Sequence, residues 1–324
     1  MKANRHITLI FALLIGFAIA SCQKDEDEIP FQQDPIGQDD GNDNGNGNGN
    51  GNQGTPDPNA GSEFGSSLVA VYNVSGVNLS LVNKGDAANG FYNDARQKEF
   101  WDFFTKLIPA DMWPQITRLT LYADDQDGTA AYVAPINEND LSKWEMGWNL
   151  AYVWSGDQLV KGETAFTAIH EYAHILTLNA GQVNVSGGAC GTFHTGEGCS
   201  NNNSYINGLV QNYWLDILDE NRNINNDNQF YAFYEKYQDR FVSEYAATNP
   251  GEDIAETLAV MVVSDNMPTG SKVADKKIQY LYEYQELVTM RQRIRDNMDF
   301  NINLGSIGEA RSERAHKKQS HNHL

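Results

Sequence analysis

From residue 64 onward the hydrophobic pattern changes rhythm partway along the chain. The first part favours a period of two. "SLVAVYNVSG" (67–76) sets β-branched and apolar residues against polar ones, and predicts a strand. "ITRLTLYA" (116–123), "TAAYVAPI" (129–136) and "MGWNLAYVW" (146–154) predict further strands, with "DDQDGT" (124–129) as a turn. One helix interrupts them: "DARQKEFWDFFTKLIP" (94–109) has apolar residues at helical spacing and a stop at Pro109.

The later part is helical. "TAFTAIHEYAHILTLN" (164–179), "SYINGLVQNYWLDILDE" (204–220), "QFYAFYEKYQDRFVSEYA" (229–246) and "EDIAETLAVMVVS" (252–264) each carry an apolar stripe. "KKIQYLYEYQELVTMRQRIRDNM" (276–298) predicts one last long helix. Phe230, Tyr231, Phe233, Tyr234 and Tyr237 sit at helical spacing, which favours core packing over a sugar-binding platform. Strands followed by a helix-rich remainder indicate an α+β domain with a small mixed or antiparallel sheet.

The ends follow other rules. Lys2 and Arg5 precede an apolar run from Ile7 to Ala20, too short for a membrane span of roughly 20 residues but suited to a signal peptide. The run ends in Ile19-Ala20-Ser21-Cys22, which resembles the bacterial lipobox. That resemblance implies a signal peptide over 1–21 and a lipid anchor on Cys22. The following "QKDEDE" resembles the export signal of surface-displayed lipoproteins in Bacteroidetes-type bacteria. It implies an outer-membrane, lipid-anchored, surface-exposed protein. Residues 22–62, including "GNDNGNGNGNGNQG", are too polar and glycine-rich to offset chain entropy, and read as a flexible tether. A single domain is expected over 63–305, then a polar tail over 306–324 with His316, His321 and His323.

The formal charge of −20 argues against nucleic acid as a partner, since phosphates would be repelled. A monomer is expected. With Cys22 lipidated, Cys190 and Cys199 remain, and in an exported chain they read most simply as one disulfide. The alternative is a metal site using His194 between them.

The candidate chemistry lies in "HEYAH" (170–174). Four residues apart on a helix, His170 and His174 share a face and can direct ring nitrogens at one ion. Glu171, rotated by about 100°, can instead reach a water on that ion and act as the general base. A catalytic zinc needs a third protein ligand. The histidine-extended form of the motif needs Gly at 177 and His at 180, where this chain has Thr177 and Ala180. His194 and Glu197 follow in the cysteine loop as weaker candidates. The stronger ones lie in "SEYAATNPGEDIAETLAVM" (243–261), where Glu252 and Glu256 are one helical turn apart. Acids favour a helix start, which accounts for Glu252 and Asp253 but not for Glu256 among apolar residues.

The pair "HEYAH" and "YAATNPGEDIAE" resembles the gluzincin arrangement of the anthrax lethal factor protease domain. It is also similar to zinc-binding metallopeptidase lipoproteins of Bacteroidetes. The resemblance rests on the two motifs, and does not extend to the N-terminal strands or the cysteine loop. It implies a zincin-like fold with one Zn2+ per chain, held by His170, His174 and Glu252. It further implies Tyr245 as a hydrogen-bond donor to the oxyanion, with Glu256 and Asn249 supporting the ligands. The expected activity is hydrolysis of a peptide or protein substrate, as an endopeptidase. An edge strand around Trp148 to Trp154 is expected to align that substrate. The competing expectation is a non-catalytic lipoprotein that binds a glycan or protein on a peptidase-like scaffold.

Overall fold

The computed structural model describes residues 60–308, apart from 127, 186–188 and 306. The expected signal peptide, Cys22 with its lipid, most of the tether and most of the tail lie outside the described residues.

The chain is a mixed α+β structure. Strands β1 (Leu68–Ser75) and β2 (Asn78–Lys84) form a hairpin that turns at Gly76, whose φ of 57° suits glycine. The sequence pattern does not announce β2, because it is an outer strand with both faces largely wet. Helix α1 (Asp94–Leu107) is capped by Asn93, whose side chain accepts the amides of Ala95 and Arg96. Three more strands follow: β3 (Ile116–Tyr122), β4 (Ala131–Asn137) and β5 (Asp140–Asn149).

The sheet order is β2-β1-β3-β5-β4. Only β3 and β5 run parallel; the other neighbours are antiparallel. This order corrects the expected edge strand around Trp148. Trp148 lies on β5, between β3 and β4, and pairs with Leu121 on one side and Ala131 on the other. Trp144, Met146 and Trp148 all bury their side chains, as an interior strand against a core requires. Residues 150–153 leave the strand in turns. The outer strand at that end is β4.

A small ladder of β6 (Trp154–Ser155) and β7 (Gln158–Leu159) leads into helix α2 (Lys161–Leu178). From Thr164 to Ile175 every residue of α2 is buried, so it is a central helix and not a surface one. It packs against β4, β5 and α1 and against a later helix, α6 (Pro250–Val263). The short pair β8 (Val183–Asn184) and β9 (Cys199–Ser200) closes the loop between them.

Helices complete the chain: α3 (Tyr205–Tyr213), α4 (Leu218–Arg222), α5 (Asp227–Tyr237), α6 (Pro250–Val263), α7 (Val273–Tyr282) and α8 (Gln285–Asp296). Two expected helices are each broken in two. The stretch 204–220 bends at Trp214, which is fully buried and donates its indole N–H to Asp253 Oδ2 at 2.6 Å. The final helix breaks at Tyr284, which takes an extended conformation (φ −95°, ψ 106°). The break turns α8 back along α6. Arg291 Nε then donates to Met261 O at 2.8 Å, and Arg295 Nη1 reaches the carbonyls of Val262, Val263 and Ser264 at 2.8–3.1 Å. These carbonyls are the unpaired acceptors at the C-terminal end of α6, so α8 caps it. Phe233 is buried, and Phe230, Tyr234 and Tyr237 pack partly buried against the core.

Candidate metal centre

Helix α2 carries His170 and His174 one turn apart, both buried. Helix α6 packs across it and presents Glu252 and Glu256, also one turn apart and buried. Asn249 starts α6 as its N-cap, with its side-chain oxygen accepting the Glu252 amide at 3.0 Å. Pro250 occupies the first helical turn, where a missing N–H costs nothing. The residue next to the metal candidate is therefore fixed by its backbone as well as its side chain.

Three atoms converge. His170 Nε2 lies 3.0 Å from His174 Nε2. Glu252 Oε2 is 3.1 Å from the first and 3.4 Å from the second. Among the described residues this is the group of His, Cys, Asp and Glu side chains that could hold a metal ion. Behind it, His170 Nδ1 faces Glu256 Oε1 at 2.7 Å. Ser243 Oγ donates to the other Glu256 oxygen at 2.7 Å and accepts the Ala246 amide at 3.1 Å.

These contacts decide the tautomer. A carboxylate at Nδ1 takes the ring proton there and leaves Nε2 of His170 as a lone pair. The lone pair points at another imidazole nitrogen and a carboxylate oxygen. Buried electron-pair donors at such distances repel one another unless a cation lies between them. Bonds of about 2.0–2.1 Å at tetrahedral angles put neighbouring ligand atoms about 3.3 Å apart, close to the separations seen. The residues fit a small, tightly bound cation. Burial alone pushes the Glu252 carboxyl up; a positive charge at the two imidazoles, from protons or from a bound cation, holds it well below the usual carboxylate range.

Glu171 is buried on α2 beside His170. Tyr245 stands on the short 3-10 turn ahead of α6, 40% exposed, its ring 5.8 Å from that of His170. Cys190 and Cys199 are joined, as expected, with Cα atoms 5.5 Å apart. His194, within their loop, is exposed and bridges to Cys199 through its backbone, outside the converging group.

Two features escaped the sequence reading. Ser243 carries no motif signal, yet it holds Glu256. Asp253 read as an acid at a helix start, but it is fully buried and paired. Lys277 Nζ lies 2.6 Å from Asp253 Oδ2, with both side chains at 0% exposure. Thr257 also donates to the carboxylate, and the Lys277 ammonium sits 4.4 Å from the centre of the Phe241 ring. Burial pushes the Asp253 carboxyl up and the Lys277 ammonium down, and each opposes the other's shift. The mixed polar and apolar sequence of α7, VADKKIQYLY, gave no hint that Lys277 points inward.

Compared with known proteins, the chain matches no family model, no curated protein and no solved structure.

Proposed function

We propose that this chain is a zinc metallopeptidase of the gluzincin type on a zincin-like scaffold, displayed as a lipoprotein on the outer membrane. The observation that carries the reading is the buried convergence of His170, His174 and Glu252, with Glu171 next to it on α2. Two imidazoles and one carboxylate are a catalytic zinc donor set, which leaves a position open for water.

These three residues would hold one zinc per chain, which would supply Lewis acidity and a water of lowered pKa. Glu171 accepts the proton of the attacking water on a carboxylate oxygen and delivers it to the leaving amine. Tyr245 Oη donates a hydrogen bond to the carbonyl oxygen as charge builds on it. Glu256 keeps the His170 proton on Nδ1, and Ser243 keeps Glu256 in place. Strand β4 takes over the substrate-aligning role expected of Trp148 to Trp154. It is the outer strand and packs against α2, so an extended peptide can add to it by main-chain pairing. The surface location rests on the N-terminal sequence alone.

The test is zinc content beside peptide cleavage, in the parent and in Glu252→Ala and Glu171→Gln. About one zinc in the parent, lost in Glu252→Ala, supports the ligand set. Zinc kept but cleavage reduced by about 10²–10⁴ in Glu171→Gln supports the base. Zinc bound with no peptide cleaved would favour the binding lipoprotein. No zinc in the parent would end the proposal.

A further inference from the structure

A small cavity of about 10 Å³, partly open to solvent, lies where the outer strand meets the ligand helix. Ala130, just ahead of β4, and Trp148 of β5 wall it on the sheet side. Glu163, Thr164 and Thr167 wall it from α2.

The helix sets this cavity beside the metal centre. Thr167 precedes His170 by three residues and Glu171 by four; Glu163 and Thr164 precede the same pair by seven. At 3.6 residues per turn these positions share one stripe of α2. The cavity therefore lies on the stripe that carries the ligands, about one to two turns toward the start of the helix.

The strand sets it beside an added peptide. Ala130 O accepts the Asn149 amide at 2.9 Å, so residue 130 turns its main chain toward β5. Antiparallel bonding alternates from there, and Ala131 and Val133 turn theirs outward. Pro135 is next in that outward series and has no N–H to give. Full main-chain pairing is thus confined to Ala131 and Val133, at the cavity end of β4. A peptide residue set opposite Ala131 directs its side chain to the face that Ala131 shares with its partner Trp148, which is the face of the cavity.

The lining defines what fits. Trp148 Nε1 and Thr164 Oγ1 are buried and have no hydrogen-bond partner. Empty cavities are apolar, whereas this one is walled by an indole that can only donate and a hydroxyl that can donate or accept. Its volume admits one water-sized group. A serine hydroxyl has that size and can partner both atoms. An alanine leaves both unmet, and a leucine or phenylalanine overfills the space.

We infer that this cavity is a substrate subsite that selects a serine side chain, with Trp148 and Thr164 as the residues that select it. The inference rests on the peptidase reading above and on β4 as the strand that holds the substrate.

The experiment uses the full chain. A peptide library, read by mass spectrometry, gives the residues preferred at each position around the cut. Matched peptides with serine, alanine or leucine at the most selective position then give ratios of kcat/KM. In the parent, serine should exceed alanine about 10-fold and leucine about 100-fold. Thr164→Val keeps the shape and removes the hydroxyl, so serine should fall to about the alanine level while leucine stays poor. Thr167→Ala widens the cavity and should raise leucine about 10-fold relative to serine. A parent that cleaves peptides with no preference for serine at any position overturns this inference and leaves the peptidase reading intact. A serine preference unmoved in both variants overturns it as well. A parent that cleaves no peptide overturns both.

Discussion

Glu252 and Asp253 are neighbours on one helix, both buried, and they have opposite kinds of company. Asp253 has a lysine ammonium, an indole N–H and a threonine hydroxyl around it. Its charge is answered from within the chain. Glu252 faces two imidazole nitrogens, one of them fixed as a lone pair by Glu256. Its charge is answered only if something positive comes from outside. Both are buried; the difference lies in donors against acceptors. A buried carboxylate among donors is structural, and one among acceptors is a place for a cation.

The largest effect expected from this contrast is on stability. Lys277→Met leaves Asp253 buried and unpaired, which should cost about 3–5 kcal/mol in chemical denaturation. Metal content of the folded fraction should stay at the parent level. Loss of metal from a chain of parent stability would show that the two clusters are not separable. Glu256→Gln is the counterpart on the other side. Metal affinity should drop about 10–100-fold by chelator competition, with little change in the unfolding midpoint of the metal-free protein. A large stability loss without an affinity change would move Glu256 to the structural class. Asn249→Ala sharpens the comparison from the shared helix. Removal of this N-cap should cost about 1 kcal/mol and leave stoichiometric metal binding in place. A loss of stoichiometric binding would mean that Glu252 depends on the cap far more than ordinary capping allows.

The features that rest on helical periodicity were legible in the sequence. His170 and His174, then Glu252 and Glu256, are each one turn apart, and a buried helix turns that spacing into a shared face. Their meeting across two helices was legible only through resemblance. Strand order was not legible at all: nothing in "MGWNLAYVW" says that β5 takes an interior place while the earlier β4 goes outside. The breaks at Trp214 and Tyr284 lack glycine or proline. They go with distant contacts, Trp214 to Asp253 in one case and the Tyr284 ring against Tyr205 in the other. Asp253 looked like an ordinary acid at a helix start because its lysine comes from the next helix.

The grip of α8 on α6 has a further consequence. Arg291 and Arg295 hold the carbonyls at one end of α6, and Asn249 holds the amide of Glu252 at the other. The third ligand is thus clamped from a segment near the end of the chain. A clip in the linker between α6 and α7, or the loss of either arginine, would slacken the ligand helix without touching substrate or ion. In a screen scored only by activity, such lesions would be filed with the chemistry. They belong to its mounting.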